Sequence, residues 1–266
     1  MALLHVDFFS DVLGMSVNMD VILPQKTNGQ IGMEGIAADG KYKTMYLLHG
    51  MSDDQTIWQR RTSIERYVSK LGIAVVMPTT HLAFYTDTCY GMRYWTFISE
   101  ELPGICREFF PNMSDKAEDT LAAGLSMGGY GAWKLGLGAS EIFGAAASLS
   151  GALDIVQDYI RNSEENQNKN PLFRGIFGTE EDLKGSDILA LAEKLASRKK
   201  ELPRLYAWCG TEDFLYEGNL KAWDHVKKLG YDLTCCETAG DHQWKYWDEK
   251  IQDVLRWWLG TDMDLQ

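Results

Sequence analysis

The sequence predicts an α/β domain built on a doubly wound, mostly parallel sheet, with helices on both faces and an antiparallel hairpin at the N-terminus. Three observations carry that prediction. Six short apolar runs end in Gly, Pro or Ser, as strands buried on both faces do. Amphipathic stretches of helical length separate most of these runs, which imposes right-handed crossovers and parallel pairing. Ahead of the first run, the chain alternates with period 2 rather than 3.6.

That alternation lies in residues 15–23, MSVNMDVIL, where Met15, Val17, Met19 and Val21 stand against Ser16, Asn18 and Asp20. With residues 4–12 before it and Gly14 between, the segment reads as the second arm of a hairpin. The buried strands follow at 42–50 (YKTMYLLHG), 73–78 (IAVVMP), 119–126 (DTLAAGLS), 144–151 (GAAASLSG), 204–210 (RLYAWCG) and 232–240 (DLTCCETAG). Helices are expected over 57–72, 93–110, 132–140, 188–200, 218–230 and 243–260. A single domain over 1–266 accounts for nearly every residue. The exception is 154–187, where the polar tract NSEENQNKN (162–170) and an aperiodic continuation exceed an ordinary connection. That segment reads as a lid over a site or as a solvated excursion.

Hydrophobic residues at 45% and charged residues at 24% are the proportions of a chain that buries a core. The 26 Lys and Arg against 38 Asp and Glu give a net charge of −12, which withholds the basic surface that nucleic acid or an anionic membrane requires. No nucleic-acid and no membrane partner is therefore expected, and no apolar stretch reaches the roughly 20 residues of a bilayer span. The N-terminal MALLHVDFFSDVLG has no basic leader region and carries Asp7 inside its apolar pattern, so the chain reads as mature and cytoplasmic. The 5 cysteines, Cys89, Cys106, Cys209, Cys235 and Cys236, are odd in number and lack Cys-x-x-Cys spacing, and they read as buried free thiols.

The sharpest local signal is AAGLSMGGYGAWKL (122–135), in which Gly124, Ser126 and Gly128 form a Gly-x-Ser-x-Gly string after a strand and before a helix. A serine on so sharp a strand-to-helix turn needs small residues two before and two after it, because strand and helix close on each other there. A serine hydroxyl is a weak nucleophile near neutral pH and calls for a histidine base held by a carboxylate. In a sheet of this order both follow the nucleophile, acid first, on loops at the carboxyl ends of later strands. Of the 5 histidines, His5, His49 and His81 precede Ser126 and His225 falls mid-helix, which leaves His242 in ETAGDHQW. Asp213, in WCGTEDFLYEGN, is the favoured acid, with Glu212 beside it and Asp154 after the preceding strand as alternatives.

Acyl transfer also needs donors for a developing oxyanion. The backbone N–H of Met127 is one, and that of Met51, on the loop after TMYLLHG, is the other. The aromatic-rich stretch 81–97 starts at a strand end on the same rim, and its side chains serve core packing or a pocket wall. No metal-ligand spacing, phosphate loop or dinucleotide fingerprint is present, so no cofactor and no metal are implied.

Taken together, MYLLHGMSDD, VVMPTT, FYTDTCYG, EELPGICREFFPNMSD, AGLSMGGYGAWKL, SLSGALD, WCGTEDFLYEGN and GDHQWKYWD resemble the tributyrin esterase group within the esterase D superfamily of α/β-hydrolases. The resemblance covers almost the whole chain. It implies an α/β-hydrolase fold and a serine carboxylesterase acting on small short-chain acyl esters. Ser126, His242 and Asp213 would form the triad, with Met51 and Met127 at the oxyanion hole. It also implies a homo-oligomer. The wider superfamily holds S-formylglutathione hydrolases, feruloyl and acetylxylan esterases and secreted mycolyltransferases, so thioesters, feruloyl esters and acetyl sugars are rival substrates for the same triad. A hydrolase fold kept only for binding is disfavoured, because nucleophile, base, acid and turn glycines are all in place.

Overall fold

The period-2 opening folds as β1 (Ala2–Ser10) and β2 (Met15–Leu23), paired antiparallel around Gly14 in the left-handed region at φ 67°. The computed structural model describes residues 1–37, 39–157, 159, 171–183, 185–198, 201–263 and 265. Six further strands follow: β3 (Thr44–Leu48), β4 (Ala74–Pro78), β5 (Thr120–Leu125), β6 (Ala145–Leu149), β7 (Arg204–Gly210) and β8 (Leu233–Thr238). They form an 8-stranded sheet in the order β1-β2-β4-β3-β5-β6-β7-β8. β2 meets β4 antiparallel, and every pair from β4 to β8 is parallel. This is the doubly wound, mostly parallel sheet with an N-terminal hairpin that the sequence predicts.

β3, β4, β5 and β6 are buried along their whole length, which is why they read as continuous apolar runs. The pleat sends Met45 and Leu47 to one face and Tyr46 and Leu48 to the other, so each strand feeds two cores. Trp58 and the C-terminal helix Trp244–Leu259, through Ile251 and Leu255, cover the first face. α5 (Met127–Gly138) covers the second with Trp133 and Leu135, flanked by the helices Ile188–Ala196 and Tyr216–Lys228. β8 departs from the pattern because it is an edge strand and only partly covered.

The helices depart from expectation in three places, each with a local cause. The stretch 57–72 breaks into α1 (Ile57–Arg61) and α2 (Ile64–Val68) at Thr62. There the Thr62 hydroxyl donates to Trp58 O at 2.5 Å and accepts Ile64 N–H at 3.1 Å, so a side chain replaces the helical ladder. The stretch 93–110 holds α3 (Tyr94–Thr96), a π-turn over Phe97–Glu101 and α4 (Leu102–Phe109). The π-turn stands just ahead of Pro103, which has no N–H for the preceding turn. α5 starts at Met127 rather than 132, because burial of its glycine-rich first turns outweighs their poor helix propensity.

Within 154–187, the tract 162–170 lies outside the described residues. The helices Pro171–Phe177 and Glu180–Leu183 occupy the rest. Phe173 and Phe177 pack on Phe84 at 5.2 and 5.6 Å between ring centroids, and Cys89 and Tyr90 N–H donate to Ile176 and Gly175 O. All five cysteines are free, but Cys89 is exposed and Cys235 and Cys236 half-buried, so only Cys106 and Cys209 are buried thiols. No helix among the described residues is long and apolar enough to cross a membrane.

Candidate active site

β5 runs into α5 through one residue, Ser126, whose φ of 53° and ψ of −120° lie where few side chains are found. Such a turn costs on the order of 1–3 kcal/mol and persists only where its surroundings fix it. Ser126 N–H donates to Leu149 O at 3.0 Å, and Ser126 O accepts N–H groups of Tyr130 at 3.1 Å and Ala152 at 3.2 Å, so both flanking peptides are tied. The two motif glycines answer to the predicted closeness of strand and helix. A Cβ at Gly124 would sit 2.5 Å from Gly128 C, and one at Gly128 would sit 2.5 Å from Leu48 O.

The parallel strands end on the same rim. Gly210, closing β7, lies so near the loop after β8 that a Cβ there would fall 2.1 Å from Gly240 O. Glu212 N–H donates to Gly240 O at 3.0 Å, and the Glu212 carboxylate accepts Gly240 N–H, which lowers the Glu212 pKa. Glu212 therefore stitches the two loops together and leaves Asp213 to face the histidine.

His242 Nδ1 stands 2.8 Å from Asp213 Oδ2, and His242 Nε2 stands 3.0 Å from Ser126 Oγ. Burial pushes the Asp213 carboxyl up, but hydrogen bonds from His242 and from Leu215 N–H, with help from the Ser150 hydroxyl, hold it below its ordinary value. An ionised carboxylate has no proton to give, so Nδ1 carries the hydrogen and Nε2 is left to accept from Ser126. Phe214 lies against the imidazole at 4.7 Å and Trp247 meets it edge-on at 4.8 Å, which fixes the ring between two aromatics. Phe214 is 70% exposed and covers the His242 ring, while Leu215 is buried and anchors the Asp213 loop.

The structure thus brings Ser126, His242 and Asp213 into one hydrogen-bonded line. Asp154, the other acid weighed, pairs with Lys221 Nζ at 2.6 Å instead. Met127 is the first residue of α5, where an N–H has no acceptor inside the helix. Met51 follows Gly50 at the end of β3, and a Cβ on Gly50 would lie 3.7 Å from Ser126 Cβ, so the loop passes directly against the serine. Ser150 and Trp247 escaped the sequence reading. Trp247 Nε1 donates to Ser150 Oγ at 3.2 Å beneath the acid, and the one available signal was that Ser150 ends a buried strand on the same rim.

His49, set aside as a base, is buried. Its Nε2 accepts Thr80 N–H at 3.0 Å, its Nδ1 donates to Gly50 O at 2.7 Å, and burial pushes its pKa down to about 4. Lys134 on α5 is also buried, donating to Thr86 Oγ1 at 2.7 Å and to Tyr85 O at 3.3 Å, and burial pushes it down to about 7.

A strand-turn-helix serine with histidine and carboxylate delivered from the ends of later parallel strands defines an α/β-hydrolase. Residues 10–258 match the family described as "Putative esterase", and the chain belongs to that family and is a carboxylic ester hydrolase. It is 32% identical to an acetyl esterase of Caldicellulosiruptor saccharolyticus over 97% of this chain and 98% of that one. Among solved structures, it resembles the fluorophosphonate-binding serine hydrolase FphF of Staphylococcus aureus with a TM-score of 0.83 and 32% identity, covering 97% and 98% of the two chains. It also resembles the S-formylglutathione hydrolase FrmB of Staphylococcus aureus with a TM-score of 0.81 and 31% identity over the same shares.

Proposed function

We propose that the protein is a serine carboxylesterase of the tributyrin esterase group, hydrolysing small short-chain esters through an acyl-enzyme on Ser126. The observation that carries this reading is the unbroken line from Ser126 Oγ through His242 to Asp213, at 3.0 and 2.8 Å. Ser126 Oγ attacks the ester carbonyl carbon and its proton passes to His242 Nε2, while the carbonyl electron pair moves onto oxygen. That oxyanion is held by the Met51 and Met127 N–H groups, each such donor lowering a barrier by about 2.7–4 kcal/mol. Collapse expels the alkoxide, which takes the proton back from His242. Water, deprotonated by the same nitrogen, then attacks the acyl carbon, and as the bond to Ser126 Oγ breaks that proton passes from His242 to Oγ, freeing the acid and Ser126. Asp213 keeps the Nδ1–H tautomer and stabilises the imidazolium.

A small ester is the expected partner, with no nucleic acid and no membrane surface involved. Short-chain preference is supported by the resemblance in the motifs and by the name of the acetyl esterase relative. A thioester reading rests on one specific observation, the likeness to a structure described as an S-formylglutathione hydrolase at 31% identity. Initial rates on p-nitrophenyl esters from acetyl to decanoyl, run beside S-formylglutathione and with Ser126→Ala as control, separate them. Turnover peaking at short acyl chains and lost in the variant is expected. An S-formylglutathione rate far above every ester transfers the assignment to the thioesterase, and a variant that keeps its rate removes Ser126 as nucleophile.

A further inference from the structure

The two backbone donors assigned to the oxyanion come from separate elements, Met127 from α5 and Met51 from the loop after β3. Their spacing must be held to a fraction of an ångström for both to reach one oxygen. α5 fixes Met127 directly. Met51 follows two residues whose carbonyls are each held by a side chain, one of them from a distant segment of the chain. The Gly50 carbonyl accepts His49 Nδ1–H at 2.7 Å, and the His49 carbonyl accepts the Tyr85 hydroxyl at 2.8 Å. The described chain contains no cis peptide, so Met51 N–H points opposite to Gly50 O, and pinning that carbonyl sets the direction of the N–H.

Tyr85 ties the loop back to α5. Its ring is fully buried and lies against Gly131 of α5, where a Cβ would meet the ring at 2.4 Å. Its carbonyl accepts Lys134 Nζ at 3.3 Å, also from α5. Its φ of 49° follows another of 49° at Phe84, an uncommon conformation for an aromatic residue. One residue is thus braced against the elbow helix at ring and backbone while its hydroxyl reaches the oxyanion loop. This also accounts for Gly131 and Lys134, parts of the GGYGAWK sequence that the elbow itself does not require.

We propose that Tyr85 is a positioning residue, a strut that references the Met51 N–H to α5 and so sets the spacing of the two oxyanion donors. This rests on the reading of Met51 and Met127 above. It acts through His49 and touches no substrate.

Tyr85→Phe keeps the ring and removes only the hydroxyl. For p-nitrophenyl butyrate, kcat is expected to fall about 10- to 100-fold with KM within about threefold, because the donor engages only the charged oxygen of the transition state. The inhibition constant of a trifluoromethyl ketone, whose adduct with Ser126 carries that oxyanion, should rise by the same factor. Tyr231→Phe is the matched control, since it removes an equivalent buried tyrosine-to-carbonyl bond, to Ala192 O at 2.8 Å, ahead of the amino end of β8 whereas the site lies beyond the carboxyl ends of the strands. It should stay within about twofold. The strut is overturned if Tyr85→Phe keeps kcat within about twofold, if kcat falls without the ketone weakening, or if Tyr231→Phe falls equally. Ser126→Ala distinguishes the levels. An inactive Ser126→Ala beside an unchanged Tyr85→Phe sinks the strut alone, whereas an active Ser126→Ala sinks the site assignment.

Discussion

Ser126 and Ser150 follow adjacent parallel strands, both at positive φ, 53° and 48°, and their surroundings make them opposites. Ser126 is half-buried, opens a helix and offers its hydroxyl to His242. Ser150 is fully buried, is followed by a loop, and turns its hydroxyl toward Trp247 and the acid. Backbone strain therefore does not by itself mark the serine proposed as nucleophile. What separates the two is the helix N-terminus with its unpaired N–H groups on one side, and the closing aromatic of the C-terminal helix on the other.

The widest split between the two serines is expected from removing each hydroxyl. Ser126→Ala should lower kcat on p-nitrophenyl butyrate by about 10⁴- to 10⁶-fold with its melting temperature unchanged, read by initial rates and a thermal scan. Packing is broken most sharply at the turn before α5. Gly128→Ala drives a methyl to 2.5 Å from Leu48 O and 2.6 Å from His49 O, which should cost about 3 kcal/mol in a urea melt.

The comparison extends to a third strand end through His49. Its folded pKa of about 4 lies below the ordinary 6.5, so above pH 6.5 it is neutral folded or unfolded. As pH falls from 6.5 to 4 the unfolded chain gains a proton that the folded chain refuses. Stability should drop by up to about 3 kcal/mol over that window. Urea melts of the unaltered protein across pH 4–7 should show the slope, and His49→Asn should flatten it. The depressed Asp213 pKa adds its own loss only at lower pH, through and below its ordinary carboxylate range. The smallest effect sharpens the contrast most. Ser150→Ala should lower kcat about 10-fold, the worth of one hydrogen bond to a charged group, with Ser126 still reactive toward a fluorophosphonate. A loss as deep as that of Ser126→Ala would erase the distinction drawn between the two.

The legible parts of the molecule were those written in local pattern. Strand runs buried on both faces, the Gly124 and Gly128 spacing and the late loops of Asp213 and His242 each depend on a few neighbouring residues, and the sheet honours them. The hidden parts depend on contacts between distant segments. Nothing near Ser150, Phe84 or Tyr85 encodes a positive φ, since the tertiary fit around each residue imposes it. The break at Thr62 was a side-chain competition that helical periodicity passes over, and the burial of Lys134 depends on Thr86 and Tyr85 from a distant segment. The sequence favours Asp213 over Glu212 but gives Glu212 no role of its own. The approach of Gly240 to Gly210 supplies that role, by giving Glu212 the Gly240 backbone to bind.

The line from Ser126 to His242 closes a sequence separation of 116 residues, and the one from His242 to Asp213 a separation of 29. Non-local contacts of this kind form late, after the entropy of the long loops they close has been spent. Before β7 and β8 dock, Ser126 has no base within reach and is an ordinary hydroxyl. Recovery of turnover during refolding should therefore trail the recovery of helical signal, making the enzyme's own activity a clock for the last step of its assembly.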